Sequence, residues 1–180
     1  MATIPSTLTA AVGNKIKASD WNTYERDAIS FVTTNRPIAY VYQGVAQSIP
    51  NANVLTAITM DSETLDRDNQ HSTSSLTSRV VIGGTLGWYR VTGTVCYATL
   101  ATTPATSRRA LIQLNGAATG GYSIIGAGQS LTSVTATTIV QATASTDYVE
   151  LYGAQDSAGA LNTVVSGTFR SFLLVEWIGS

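Results

Sequence analysis

From position 38 to 178 the chain passes through nine short segments rich in Val, Ile, Thr and Tyr, separated by clusters of Gly, Pro, Asn, Asp or Ser: 38–45, 54–60, 79–82, 88–100, 108–114, 122–127, 134–142, 148–154 and 169–178. β-Branched and aromatic residues suit a pleated, half-buried surface, and the clusters between them are those that bound strands. The pattern therefore predicts an antiparallel sandwich or jelly roll. In the longest segment Tyr89, Val91, Val95 and Tyr97 fall on one face, the expected core face. In the last, Phe169, Leu173, Val175 and Trp177 alternate against Phe172, Leu174 and Ile178. A strand apolar on both faces meets water on neither, so one side is expected in the core and the other against a neighbouring subunit.

At 180 residues the chain fits one domain with a short appendage, divided here into 1–36 and 37–180. Charged residues make up 12% and the formal net charge is −1, with Lys and Arg scattered singly apart from Arg108-Arg109 and the closely spaced Lys15 and Lys17. That balance gives no electrostatic footprint for nucleic acid or an anionic membrane. The N-terminus lacks a basic segment followed by an apolar one, and no run approaches the length of a membrane span, so secretion by a signal peptide and membrane insertion are not expected. Low charge beside 44% hydrophobic residues suggests that part of the apolar surface is shared with other subunits.

Residues 1–17 carry Pro5 and Gly13 without a sustained period and read as an extended arm. Ser19 offers an N-cap oxygen and Asp20 a first-turn charge, so a helix is expected over 20–33, ended by Asn35-Arg36-Pro37. Trp21, Tyr24, Ala28 and Phe31 fall on one stripe of it. Two heptads cannot hold a trimer unaided. The stripe packs on its own domain, joins three copies, or docks on another protein.

Few residues suggest chemistry. Asp61, Glu63, Asp66 and Asp68 form an acidic cluster that is a candidate calcium site, although an EF-hand loop starting at Asp66 fails with His71 at its sixth position and Thr77 at its twelfth. A solvated surface loop is the simpler reading. His71 is the single histidine and Cys96 the single cysteine, which leaves no multi-histidine or thiolate metal site and no intramolecular disulfide. No Gly-x-Ser-x-Gly elbow is present, and Gly83-Gly84 and Gly126-Ala127-Gly128 open no helix that could cradle a phosphate. No catalytic residue and no cofactor are expected. Trp88 and Tyr89 could stack on a sugar ring if exposed, but Tyr89 lies on the core face.

One order of motifs goes further. Asp61-Ser62-Glu63, Asp66 and His71-Ser72 precede Gly87-Trp88-Tyr89-Arg90-Val91-Thr92-Gly93, which is followed by Ser107-Arg108-Arg109 and then Asn115-Gly116. This order, over roughly 38–179, resembles the C1q/TNF-like jelly-roll domains of small bacteriophage tail and fibre proteins. The segment from Ala18 to Phe31 is similar to N-terminal stretches that precede fibre or jelly-roll domains in phages of actinobacteria. The resemblance implies a mainly β, homotrimeric C1q/TNF-like jelly roll with an N-terminal arm and helix for attachment. It implies a non-enzymatic minor tail or fibre component of a virion assembled in the bacterial cytoplasm. Its partners would be other virion proteins of tail or capsid, bound through the N-terminal segment, and a host-surface glycan. A capsid decoration or head-fibre protein is the alternative, followed by a carbohydrate-binding module and, more distantly, a hydrolase. In that family the outer face of the sheet around the terminal strand builds the trimer interface. The strand 148–154 would adjoin it, which puts Tyr148, Tyr152 and Phe172 near the threefold axis.

Overall fold

A computed structural model describes Lys15 and residues 17–100, 107–126 and 130–180. The expected arm lies outside the described residues apart from Lys15 and Lys17.

The helix begins two residues earlier than expected. Lys17, not Ser19, is the N-cap, and its N–H donates to the Asp20 carboxylate at 3.2 Å. Beyond it, α turns at Ala18–Trp21 and Asp27–Ser30 alternate with π turns at Asn22–Arg26 and Phe31–Asn35. In the last turns the hydroxyls of Thr33 and Thr34 donate to the carbonyls of Ile29 and Ser30, competing for the acceptors that an α-helix needs. Pro37 then ends the helical segment, and its carbonyl accepts from the Trp177 N–H at 3.0 Å.

The strands are, in chain order, β1 (Ile38–Tyr42), β2 (Ser48–Ile49), β3 (Thr56–Ala57), β4 (Ser62–Asp66), β5 (Arg79–Val81), β6 (Gly87–Tyr97), β7 (Arg108–Leu114), β8 (Ala117–Ile125), β9 (Thr132–Ala142), β10 (Tyr148–Gln155), β11 (Leu161–Asn162), β12 (Val165–Ser166), β13 (Phe169–Arg170) and β14 (Phe172–Gly179). One antiparallel sheet has the order β4-β1-β14-β6-β9; the other has β3-β10-β7-β8, with β5 also paired to β10. Two expectations need correction here. The segment 61–68 is not all loop, because β4 pairs with β1 at the sheet edge. The terminal segment is also broken at Ser171, whose carbonyl accepts from the Gln43 N–H and whose hydroxyl accepts from the Cys96 N–H. Phe169 therefore sits in the β12–β13 hairpin, half exposed, and does not share a face with Leu173.

The core lies between the two sheets. Ala39, Val41, Leu173, Val175, Tyr89, Val91, Val95 and Tyr97 from one sheet face Ala110, Ile112, Val149 and Leu151 from the other, all fully buried. The face expected for the longest strand is the one observed. Gly93 leaves the space that Leu151 fills, since a Cβ there would come within 2.6 Å of a Leu151 methyl. The Tyr97 hydroxyl ties the sheets together: its one proton goes to the Arg109 carbonyl at 2.5 Å, and its oxygen accepts from the Ala154 N–H at 3.0 Å.

Candidate functional site

β14 is the middle strand of its sheet, so its outward side chains are flanked on both sides. Phe172 stands opposite Tyr42 and Thr94, Leu174 opposite Tyr40 and Thr92, and Glu176 opposite Ile38 and Arg90. Period-two alternation puts all of these on the solvent side, away from Leu173 and Val175. The face has two halves. Over β1 and β14, the Tyr40 ring lies 5.4 Å from Phe172 and 6.4 Å from Tyr42, and the Arg170 guanidinium sits 3.5 Å above the Tyr42 ring. Over β6 and β9, hydroxyl pairs form a ladder: Thr94 with Thr135 at 2.8 Å, Thr92 with Thr137 at 3.2 Å, and the Cys96 sulfur with Ser133 at 3.2 Å. Burial pushes the Cys96 thiol up, which disfavours its thiolate. At one end Glu176 receives both Arg36 and Arg90, and its charge is compensated. Such a face, aromatic on one half and hydroxyl-lined on the other, can pack.

Phe172 is where the sequence placed it, on this face. Tyr148 and Tyr152 are not, and this expectation is corrected: β10 belongs to the other sheet, between β7 and the short strands β3 and β5. Tyr148 lies there under the Arg79 guanidinium at 4.1 Å, and the Tyr152 hydroxyl donates to Glu150 at 3.0 Å. Tyr40 and Tyr42 occupy the positions beside Phe172 instead. Their alternation against Ala39 and Val41 was visible in the sequence, but which strand neighbours which was not.

The helical stripe divides. Trp21 is 59% exposed, Tyr24 and Ala28 are partly buried, and Phe31 is 5% exposed, packed edge-on against Trp177 at 5.1 Å. Phe31 therefore belongs to the domain core, and Trp21 stays exposed. Of the Trp88–Tyr89 pair only Trp88, 43% exposed, could meet a sugar; Tyr89 is buried with its hydroxyl donating to the Thr85 carbonyl.

The acidic residues do not converge. The Asp61 carboxylate accepts from the Gly44 N–H and from Ser62, and Asp66 accepts from the N–H groups of Gln70 at 2.9 Å and His71 at 3.0 Å. Glu63 meets the His71 ring at 3.2 Å, and Asp68 accepts from Thr85 at 3.3 Å. Among the described residues no three His, Cys, Asp or Glu side chains gather to hold a metal. These carboxylates shape the chain around 61–71 instead.

No protein-family model and no curated protein sequence matches the chain. Solved structures do. The globular domain of zebrafish complement 1qA superposes with a TM-score of 0.56 at 8% identity, over 79% of this chain and 98% of that one. Murine APRIL gives 0.53 at 11%, over 78% and 98%, and the Eiger TNF of S. frugiperda gives 0.51 at 11%, over 81% and 96%. The class that these define is the C1q/TNF-like jelly roll, and the described strands have that fold. At such identities the likeness is one of fold alone.

Proposed function

We propose that this chain is a homotrimeric, non-enzymatic structural protein of a bacteriophage virion, a minor tail or fibre component. The observation that carries the trimer is the aromatic cluster of Tyr40, Tyr42 and Phe172 with Leu174 on the solvent side of the terminal-strand sheet. A monomer gains nothing by presenting it, and a second and third copy remove it from water. The virion assignment draws on the order of motifs from Asp61 to Gly116 and on the 18–31 segment, whose Trp21 is left exposed by the fold. Phe31 fixes the helix to the jelly roll, and Trp21 supplies an anchor for another virion protein.

Light scattering on the purified protein should give the mass of three chains, and a dilute monomer would refute the trimer. Electron microscopy of particles carrying the labelled protein should show it on the tail or its fibres. Label at the threefold positions of the head would give the place to a capsid decoration protein, which the same anchor and knob would suit.

A further inference from the structure

On the sheet that does not carry the aromatic cluster, a cleft of about 580 Å³ opens between the chain at 69–76, strand β5 and the turn at 145–146. Both walls are held in place. Asp147 accepts from the N–H groups of Thr143 at 2.7 Å and Ala144 at 2.9 Å, and from the Asn115 amide, which locks the turn. Gly83 lets that turn close in, because a Cβ there would come within 2.2 Å of the Ala144 carbonyl oxygen. The opposite wall is fixed by Asp66, which binds two successive N–H groups, and by the His71 ring, fully buried between Glu63 and the Thr77 carbonyl.

The lining combines two kinds of surface. Leu76, Val81 and the Tyr148 ring are apolar, and Leu76 is 68% exposed at φ 48°, a left-handed conformation that strains a leucine. Ser145, Thr146 and Asn69 add neutral hydroxyl and amide groups that have no side-chain partner among the described residues. The guanidinium that lines the cleft is that of Arg79, ion-paired on its Nε side to Glu150. Its Nε donates to Glu150 at 3.3 Å, its plane lies over Tyr148, and its terminal nitrogens bind no other group among the described residues. Glu150 is 4% exposed, bound also by Ser78 and Tyr152, and no carboxylate lines the cleft.

We propose that this cleft binds a carboxylate-bearing pyranose, with the sugar's C–H face on Leu76, Val81 and Tyr148, its hydroxyls on Ser145 and Thr146, and its carboxylate on the terminal nitrogens of Arg79. A guanidinium paired to carboxylate oxygens is the strong, planar form of such recognition. Pre-formed walls reduce the ordering that binding would otherwise cost. The inference rests on the proposed function only for where the ligand is met, on a host cell surface; binding itself belongs to the isolated protein.

The test titrates the full-length protein with methyl β-D-glucuronide and with the methyl glycoside of N-acetylneuraminic acid, against methyl β-D-glucoside, by calorimetry and ligand-observed NMR. One acidic glycoside should bind saturably and about tenfold or more tightly than the neutral one, and which acid it is separates a uronate from a sialate ligand. Arg79→Gln should bring the acidic and neutral ligands level. Leu76→Gly should weaken binding while leaving the unfolding midpoint at or above that of the parent, which a folding defect would not do. Trp88→Ala should change nothing. The proposal is overturned if neither acidic glycoside binds, if the neutral one binds equally, or if Trp88→Ala rather than Arg79→Gln removes binding. Light scattering on the same samples reports the trimer separately.

Discussion

Phe31→Ala tests whether the N-terminal helix is an appendage or part of the domain. The ring is 5% exposed and sits at 5.1 Å and 83° to Trp177, which is itself 9% exposed at the end of β14. Burying a phenylalanine side chain contributes about 1.5–3 kcal/mol, and an edge-to-face pair about 0.5–1.5 more, so truncation should cost about 3 kcal/mol. That is below the upper end for phenylalanine truncation in a closed core, because the neighbouring helix face is open to water and can relax into the gap. Urea unfolding, followed by tryptophan fluorescence and far-ultraviolet circular dichroism, should show one transition shifted by that amount at unchanged slope. Trp21→Ala, ten residues earlier and 59% exposed, should move stability by no more than about 0.5 kcal/mol. If Phe31→Ala shifts the transition by under about 0.5 kcal/mol, the helix contributes nothing to the fold. The boundary between 36 and 37 would then be a true domain boundary.

Three further outcomes are expected. Phe172→Asp should give a folded monomer by light scattering, because it would bring three carboxylates together on a surface otherwise lined by Tyr40, Tyr42 and Leu174; a trimer that persists would refute the assignment of this face. Tyr97→Phe should destabilise by about 1–3 kcal/mol in urea unfolding, since the Ala154 N–H and the Arg109 carbonyl would be left buried without their partner, and no change would show that water replaces the hydroxyl. Asp147 is held below the ordinary carboxylate value, chiefly by the N–H groups of Ala144 and Thr143. A depressed folded value means that its stabilisation is full above the ordinary value near 3.8 and is lost as the pH falls from there through the lower folded value. Asp147→Ala should therefore lower stability at pH 7 and narrow the gap to the parent in acid, and a gap independent of pH would refute the role of its charge.

The alternating core of the long strand was legible because four residues, Tyr89, Val91, Val95 and Tyr97, repeat a two-residue period over one face, and burial enforces that period. The two apolar faces of the terminal strand were legible for the same reason. What alternation does not carry is neighbourhood. Tyr148 and Tyr152 alternate with Val149 and Leu151 as plainly as Tyr40 and Tyr42 do with Ala39 and Val41, and only the Greek-key crossing of strands decides which pair lies beside Phe172. The hydrogen bonds that set this crossing are backbone bonds, for which every residue supplies an acceptor and every residue but proline a donor.

The acidic residues do not converge, for a reason that period and composition also hide. Divalent ions draw their oxygen ligands to within about 2.3–2.6 Å of one point, which a loop achieves by curling its backbone. Here Ser62–Asp66 pairs with β1 as a strand, and a strand rises about 3.3 Å per residue. Carboxylates five positions apart are thus carried well beyond any shared coordination sphere, however dense they look in the sequence. Asp61 reaches back to Gly44, while Asp66 turns forward to cap Gln70 and His71. The same carboxylates that could not converge on an ion are well placed to hold N–H groups apart from one another. Through Asp66 and the Glu63–His71 pair they fix the wall of the cleft beside Arg79 and Tyr148.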